Sequence, residues 1–382
     1  MQSPARATAI ATEKTILCLI GTRPEAIKMA SVVRELKSRP GVKVVVCVTG
    51  QHREMLEPIL RFFQIEPQID LGLMRPDQTL SGLTARLIEG LDEVIRRISP
   101  DWVVAQGDTT SVMAAAMAAF YRGVPFAHVE AGLRTGDLSA PFPEEFHRRV
   151  ADMVAVLHFA PTVQAAEKLE SEGIPSSQII VTGNTVVDAL LEASKDEPDW
   201  LQGPLVSVDP SKPIVVVTAH RRENFGQPMR EICESVAELA RKFDRDQIQW
   251  VFPVHLNPNV KSTVFEILDQ VPNVILLEPL EYPWHVQLMK HARLILTDSG
   301  GIQEEAPSLG VPVLVLRSTT ERPEGVASGQ ARLVGCRRDD IIREATRELQ
   351  LSANGLKKQE HPANPYGDGF AGRRIADALL RD

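Results

Sequence analysis

Asp298-Ser299-Gly300-Gly301-Ile302-Gln303-Glu304-Glu305-Ala306 follows an apolar run, Leu294-Ile295-Leu296, that reads as a buried strand, and it opens a helix. A strand, a polar turn with paired glycines and a helix N-terminus together make an anion site. The first amide N–H groups lack intrahelical partners, and the helix dipole favours negative charge there. The glycines let a diphosphate approach the backbone closely. One turn further in, Glu304 or Glu305 can offer a carboxylate to sugar hydroxyls. Adjacent helical residues diverge by about 100°, so one of the two should face the ligand. The pattern favours a nucleotide-diphosphate sugar over nucleotides in general. A Ser-Gly-Gly turn that merely caps a helix is the bland alternative, and this stretch alone does not separate the two.

The surrounding chain repeats the same rhythm. Apolar β-rich runs alternate with helical patterns, as in α/β folds with parallel sheets. In the first half strands are expected at residues 15–20, 43–48, 102–105, 125–129, 154–159 and 179–181, with helices such as 24–37, 80–97 and 110–121 between them. Residues 195–213 lapse into charged, Pro- and Gly-containing sequence and read as a linker. A second series follows, with strands expected at 214–218, 249–253, 274–277, 294–297, 311–316 and 332–334. The organisation predicted is a disordered extension over 1–14, a Rossmann-like domain over 15–194, the linker, and a second Rossmann-like domain over 214–367. A final helix spans about 368–382. Two such sheets facing a central cleft would bind ligand beyond the carboxyl ends of their strands.

Composition narrows the classes. A chain of 382 residues exceeds one comfortable core, and 43% hydrophobic with 24% charged residues is globular. The net charge of −8 is spread without a polybasic block, which argues against nucleic-acid or membrane-surface partners. No apolar run is long enough to span a bilayer. The four cysteines (Cys18, Cys47, Cys233 and Cys336) are scattered and read as free thiols of a cytoplasmic protein.

Polar clusters recur directly after the strands. Gly21-Thr22-Arg23-Pro24-Glu25-Ala26-Ile27-Lys28 offers Arg23 and Lys28, to neutralise phosphate or to hold a catalytic carboxylate. Gln106-Gly107-Asp108, His128-Val129-Glu130 and Pro143-Glu144-Glu145-Phe146-His147-Arg148 place three carboxylate sites along one sheet edge. Singly, Asp108 could be an N-cap and Glu144 a dipole-favoured first-turn acid; their recurrence at one edge argues for a pocket. The second half adds His220, a candidate proton carrier, and Arg322, a candidate phosphate ligand. There is no Gly-x-Gly-x-x-Gly after a strand, so no nicotinamide cofactor is expected, and no P-loop. His128-Val129-Glu130 looks like a zinc deaminase triplet, but its Pro-Cys-x-x-Cys partner is missing, and no metal site is expected.

Taken together, residues 21–29, 107–110, 128–136, 220–223, 298–307 and 319–324 strongly resemble the bacterial non-hydrolysing UDP-N-acetylglucosamine 2-epimerases, in register from about Thr15 to the final helix. The resemblance implies a GT-B-like fold with the C-terminal helix returning to the first domain. It implies interconversion of UDP-N-acetylglucosamine and UDP-N-acetylmannosamine, without cofactor, by a homodimer acting on a UDP-N-acetyl-hexosamine. A hydrolysing epimerase and a GT-B glycosyltransferase are the alternatives on the same fold. By resemblance Asp108, Glu130 and Glu144 are the catalytic carboxylates, with Glu130 and Glu144 preferred as the proton pair and Asp108 supporting. Arg23, Lys28, Arg148, His220 and Arg322 stand near diphosphate or sugar, His220 also as a catalytic candidate. Ser299, Gly300, Gly301 and Glu305 form the UDP clamp. Tyr282, Trp284 or His285 is expected to stack on uracil. Many members are activated by a second substrate molecule, and Gln51, His52, Arg222 and His255 resemble that site. Glu54 and Asp77 place acids there that would repel a diphosphate.

Overall fold

The computed structural model of the protein describes residues 13–50, 53–75, 77–243, 248–353 and 364–381. Residues 1–12 of the expected extension, and the candidate effector residues Gln51 and His52, lie outside the described residues. The chain divides into two compact units, Met1–Thr185 with Phe370–Asp382, and Val186–Gly369.

The first unit holds a seven-stranded parallel sheet of β1 (Lys14–Ile20), β2 (Val42–Val48), β3 (Ile69–Asp70), β4 (Trp102–Gln106), β5 (Phe126–Val129), β6 (Leu157–Ala160) and β7 (Ile179–Val181), in the order β3-β2-β1-β4-β5-β6-β7. The second holds β8 (Ile214–Thr218), β9 (Gln249–Pro253), β10 (Val274–Leu277), β11 (Ala292–Thr297), β12 (Val313–Val315) and β13 (Ala331–Leu333), in the order β10-β9-β8-β11-β12-β13. Each order reverses once, between β1 and β4 and between β8 and β11. Those reversals are the switch points where doubly wound α/β folds bind ligands.

The central strands are runs of Val, Ile and Leu because helices cover both sheet faces and no polar side is needed. β8 is buried along its whole length. Alanines 114–116, 118 and 119 let the helix Thr110–Arg122 lie close against β1 and β4. That helix is capped by the Thr109 hydroxyl, which accepts from Val112 N, and is closed by Gly123. The helix Arg23–Lys37 starts on Thr22, with Pro24 in its first turn where no amide partner is lost.

Residues 195–213, expected as a linker, pack within the second unit, and the chain passes between units earlier, at Thr185/Val186. Trp200 is buried there, and Gln249 Nε2 donates to the Asp209 carbonyl. Val154 ends the helix Glu144–Val154 instead of beginning a strand, so β6 starts three residues later, at Leu157. The two-residue β3 was not foreseen. The final helix, Ala371–Leu379, belongs to the first unit and packs on Arg23–Lys37. Arg39 Nη2 reaches Asp377 at 2.6 Å, and Arg374 Nη1 donates to the Thr182 carbonyl.

Candidate functional site

At the carboxyl edge of the first sheet, Asp108 and Glu130 follow β4 and β5, and the helix Glu144–Val154 brings Arg148 onto Asp108. Glu130 follows β5 with φ +66°, a left-handed conformation that is costly for a residue with a side chain and worth explaining where it occurs. Its carboxylate is fixed from two sides. Lys28 Nζ lies 2.7 Å from Oε1 and 2.5 Å from Oε2, and Gln106 Nε2 donates to Oε2 at 2.6 Å. Lys28 therefore holds a carboxylate, the second of the two roles read from sequence.

Asp108 stands just beyond β4, after Gly107 at φ +89°, where glycine alone is unstrained. Arg148 Nη2 donates to Asp108 Oδ2, and His147 Nδ1 lies 3.1 Å from the Asp108 carbonyl. Burial pushes the His147 imidazole below its ordinary range, against the raising pull of that carbonyl and of Glu144 and Asp108. Glu144 opens the helix that carries both His147 and Arg148. Glu144 Oε2 and Arg148 Nε are shielded from solvent and make no hydrogen bond among the described residues. Buried polar atoms rarely stay unpartnered, so an open acceptor and an open donor on one helix suit a polar ligand. Glu145, by contrast, is spent structurally: it accepts from Thr135 N at 3.1 Å and Gly136 N at 3.3 Å, and Arg149 Nε lies 3.1 Å away.

Beneath this edge lies a group the sequence reading passed over. Glu25, only 2% exposed, accepts from Gly21 N at 2.6 Å and from the Thr22 hydroxyl at 3.1 Å. Burial pushes its carboxyl up to about 7, with the charge of Asp108 adding to the rise and the Gly21, Thr109 and Thr22 contacts opposing it. Arg23, beside it, is half-buried at the helix start.

In the second unit the quoted turn sits at the β8/β11 switch point. Asp298 is fully buried, and its Oδ2 accepts from His220 N (2.9 Å), Arg221 N (2.8 Å) and Asn224 Nδ2 (3.0 Å). One carboxylate thus ties the turn after β11 to the turn after β8. Ser299 is the N-cap of Gly300–Glu305 without a side-chain capping bond, so the first helical amides stay available. The helix is short, six residues continuing into a 3-10 turn, Ala306–Leu309. A Cβ at Gly300 would lie 3.3 Å from Arg221 Nη2 and 3.8 Å from Arg322 Nη2. Two guanidiniums therefore meet where the glycine leaves room. Arg322 was expected, whereas Arg221 was missed. Its signal was the Arg pair directly after β8, read only for Arg222.

Both glutamates of the turn are buried and engaged. Arg322 Nε donates to Glu304 Oε1, and the Tyr282 hydroxyl donates to Glu305 Oε1 at 3.1 Å. Trp284 packs against Gly203, where a Cβ would come within 2.2 Å of its ring. The His220 ring lies 3.3 Å from Asp298 Oδ1 and stacks on His255, with centroids 5.4 Å apart and planes at 15°. Burial lowers the pKa of His220, opposed by Asp298 and reinforced by His255 and Arg221. Of the expected effector residues, His255 touches this site through that stack, and Arg222 is exposed in the 3-10 turn Arg222–Asn224. Among the described residues no group of three or more His, Cys, Asp or Glu side chains is placed to hold a metal ion.

A sequence model of the UDP-N-acetylglucosamine 2-epimerase family matches residues 34–380. The UDP-N-acetylglucosamine 2-epimerase of Escherichia coli (strain K12) is 50% identical over 370 residues, covering 95% of this chain and 98% of that one. The crystal structure of UDP-GlcNAc 2-epimerase from Neisseria meningitidis bound to UDP-GlcNAc aligns with a TM-score of 0.86 at 44% identity, covering 96% of this chain and 100% of that one. A glycosyltransferase from Rickettsia africae ESF-5 shares the fold alone, with a TM-score of 0.65 at 13% identity over 97% of this chain and 99% of that one. The expected α/β, GT-B-like class is the one found.

Proposed function

The chain belongs to the UDP-N-acetylglucosamine 2-epimerase family, and on that footing we propose that it interconverts UDP-N-acetylglucosamine and UDP-N-acetylmannosamine without hydrolysis. The C2 hydrogen of this sugar is not adjacent to a carbonyl, so enolisation is closed. Elimination remains: a base takes the C2 proton, the C1–O bond breaks, and UDP leaves 2-acetamidoglucal behind. Re-addition of the UDP oxygen to C1, with a proton delivered to the opposite face of C2, inverts the centre. This route needs two proton-transfer groups and a cationic hold on departing UDP.

The observation that carries the reading is the pair of held carboxylates at the sheet edge of the first unit, Glu130 and Asp108. Glu130 is oriented by Lys28 and Gln106, and Glu144 keeps a shielded oxygen with no hydrogen-bond partner among the described residues. We assign these two as the proton pair. Asp108, held by Arg148, supports them, and Arg23 faces the sugar or diphosphate. The second unit supplies the grip. Arg221 and Arg322 meet at Gly300, and with the amides of the 299–301 turn they would stabilise charge on the leaving diphosphate. Glu305 would engage the ribose, and His220 would stabilise developing charge.

A homodimer is part of the proposal. The helices Thr110–Arg122 and Glu144–Val154 pack together and leave Phe120, Tyr121 and Met153 more than half exposed, an apolar surface suited to a second copy. The four free cysteines fit the cytoplasm, where thiols stay reduced.

Incubation with UDP-N-acetylglucosamine in deuterated water tests the mechanism. Deuterium at C2 of both epimers is expected, with UDP-sugar conserved. An unlabelled C2 rejects the elimination, and release of free N-acetylmannosamine with UDP would replace it by the hydrolysing route.

A further inference from the structure

His128 lies on β5 two residues before Glu130, and no step above uses it. It is fully buried. Nδ1 is 2.5 Å from Asp152 Oδ1, and Nε2 is 2.7 Å from the Gly107 carbonyl. A carbonyl oxygen can only accept, so Nε2 carries a hydrogen. Asp152 Oδ2 lies 2.8 Å from Arg134 Nη2, which keeps the carboxylate ionised and acceptor-only, so Nδ1 carries one as well. A neutral imidazole has a single N–H and would set one acceptor against another.

The charges around the ring are consistent with this state. Arg134 also pairs with Glu172, at 2.7 Å. On the neighbouring strand β6, His158 sits opposite His128 in register and places Nε2 2.9 Å from the Asp152 carbonyl. On the same strand as His128, Phe126 stacks on its ring at 6.1 Å. Burial opposes a charge on His128, but the Asp152 carboxylate and the Gly107 carbonyl outweigh it and raise the imidazole above its ordinary range.

The other end of the contact is the turn that presents Asp108. Gly107 N donates to the Val129 carbonyl at 3.1 Å while Gly107 O accepts from His128, so the glycine is held at both ends. We propose that His128 is a positioning residue, an imidazolium anchored on Asp152 that sets the 107–108 peptide and thereby the aim of the Asp108 carboxylate. Its effect on turnover rests on the epimerase reading; its protonation state does not.

Gln and Asn separate the two donors. A Gln amide nitrogen reaches where Nε2 stands, and an Asn amide nitrogen where Nδ1 stands. His128→Gln therefore keeps the donor to Gly107 and should hold kcat within a few-fold of wild type. His128→Asn should lower kcat on the order of 100-fold with KM little changed, the signature of a misplaced acid rather than lost binding. Equal losses in both variants, or a loss confined to KM, would overturn the proposal. On the wild-type protein, nitrogen-resolved NMR of labelled histidine should show both His128 nitrogens still protonated at pH values where an ordinary imidazole has lost its proton. A neutral tautomer in that range would overturn it even if neither variant folds. A wild type with this imidazolium but no epimerisation would remove the proposed function and leave the protonation state standing.

Discussion

The two switch points use the same fold and invert its polarity. At the first, the acid faces outward: the Asp108 side chain is 30% exposed while Arg148, which holds it, is 11% exposed. At the second, the cation is presented: Arg322 is 17% exposed and its partner Glu304 only 2%. Arg221 is more open still, at 35%. In the Asp108 pair the acid is the more open partner, in the Arg322 pair the cation is, while Glu130 lies deeper than the Lys28 that holds it. A doubly wound sheet fixes where a side chain emerges but not its sign, so opposite halves of one reaction can be built on one architecture.

The contrast predicts opposite kinetic signatures. The largest effect belongs to the first edge. Glu130→Gln and Glu144→Gln should each lower kcat by about 10²- to 10⁴-fold while UDP affinity, read by calorimetry, moves only modestly. Near-normal turnover in either variant would strip that residue of its role. At the second edge, Arg221→Ala and Arg322→Ala should weaken UDP binding by about 10- to 100-fold, the worth of a charge-assisted contact. Unchanged affinity would remove that arginine from the phosphate grip.

The smallest effect concerns the acid buried behind the first edge. Glu25 has its folded pKa raised to about 7 from an ordinary 4.5. The stabilisation tied to its protonated form is full below the ordinary value and is lost as pH rises through about 7. Relative to Glu25→Gln, which cannot ionise, wild type should therefore lose melting temperature between about pH 5 and about pH 8. A gap that stays constant over that range would mean that Glu25 remains ionised in the fold.

Much of this was readable from the residues because the signals were local. Strands β8, β9 and β10 appear with the bounds their apolar runs suggested, and β8, buried along its whole length, is an almost unbroken apolar stretch. The boundary at Val154–Leu157 was misplaced because Val154-Ala155-Val156-Leu157 is apolar throughout, and periodicity cannot divide a helix end from a strand start. Asp108 and Glu130 stood out by their place after strands, and Glu144 by its place at a helix start. Their partners did not: Lys28 and Glu130 are 102 positions apart, and Asp298 and Arg221 are 77 apart. Nothing in either segment announces the other. Glu25 and His128 were hidden for a further reason, because burial, which defines both, is a property of the packed fold and not of the neighbouring residues.

Asp298 gives the opening stretch a second meaning. Two backbone amides and the Asn224 side chain already converge on its carboxylate. The loop that carries Arg221 is thus held in place by the protein's own anion. On the proposed function, less conformational freedom would remain to be surrendered when a diphosphate arrives, so more of the intrinsic attraction would survive as affinity. A buried acid behind the proposed anion pocket looks like a mistake in charge, yet its carboxylate fixes the turn that carries Arg221.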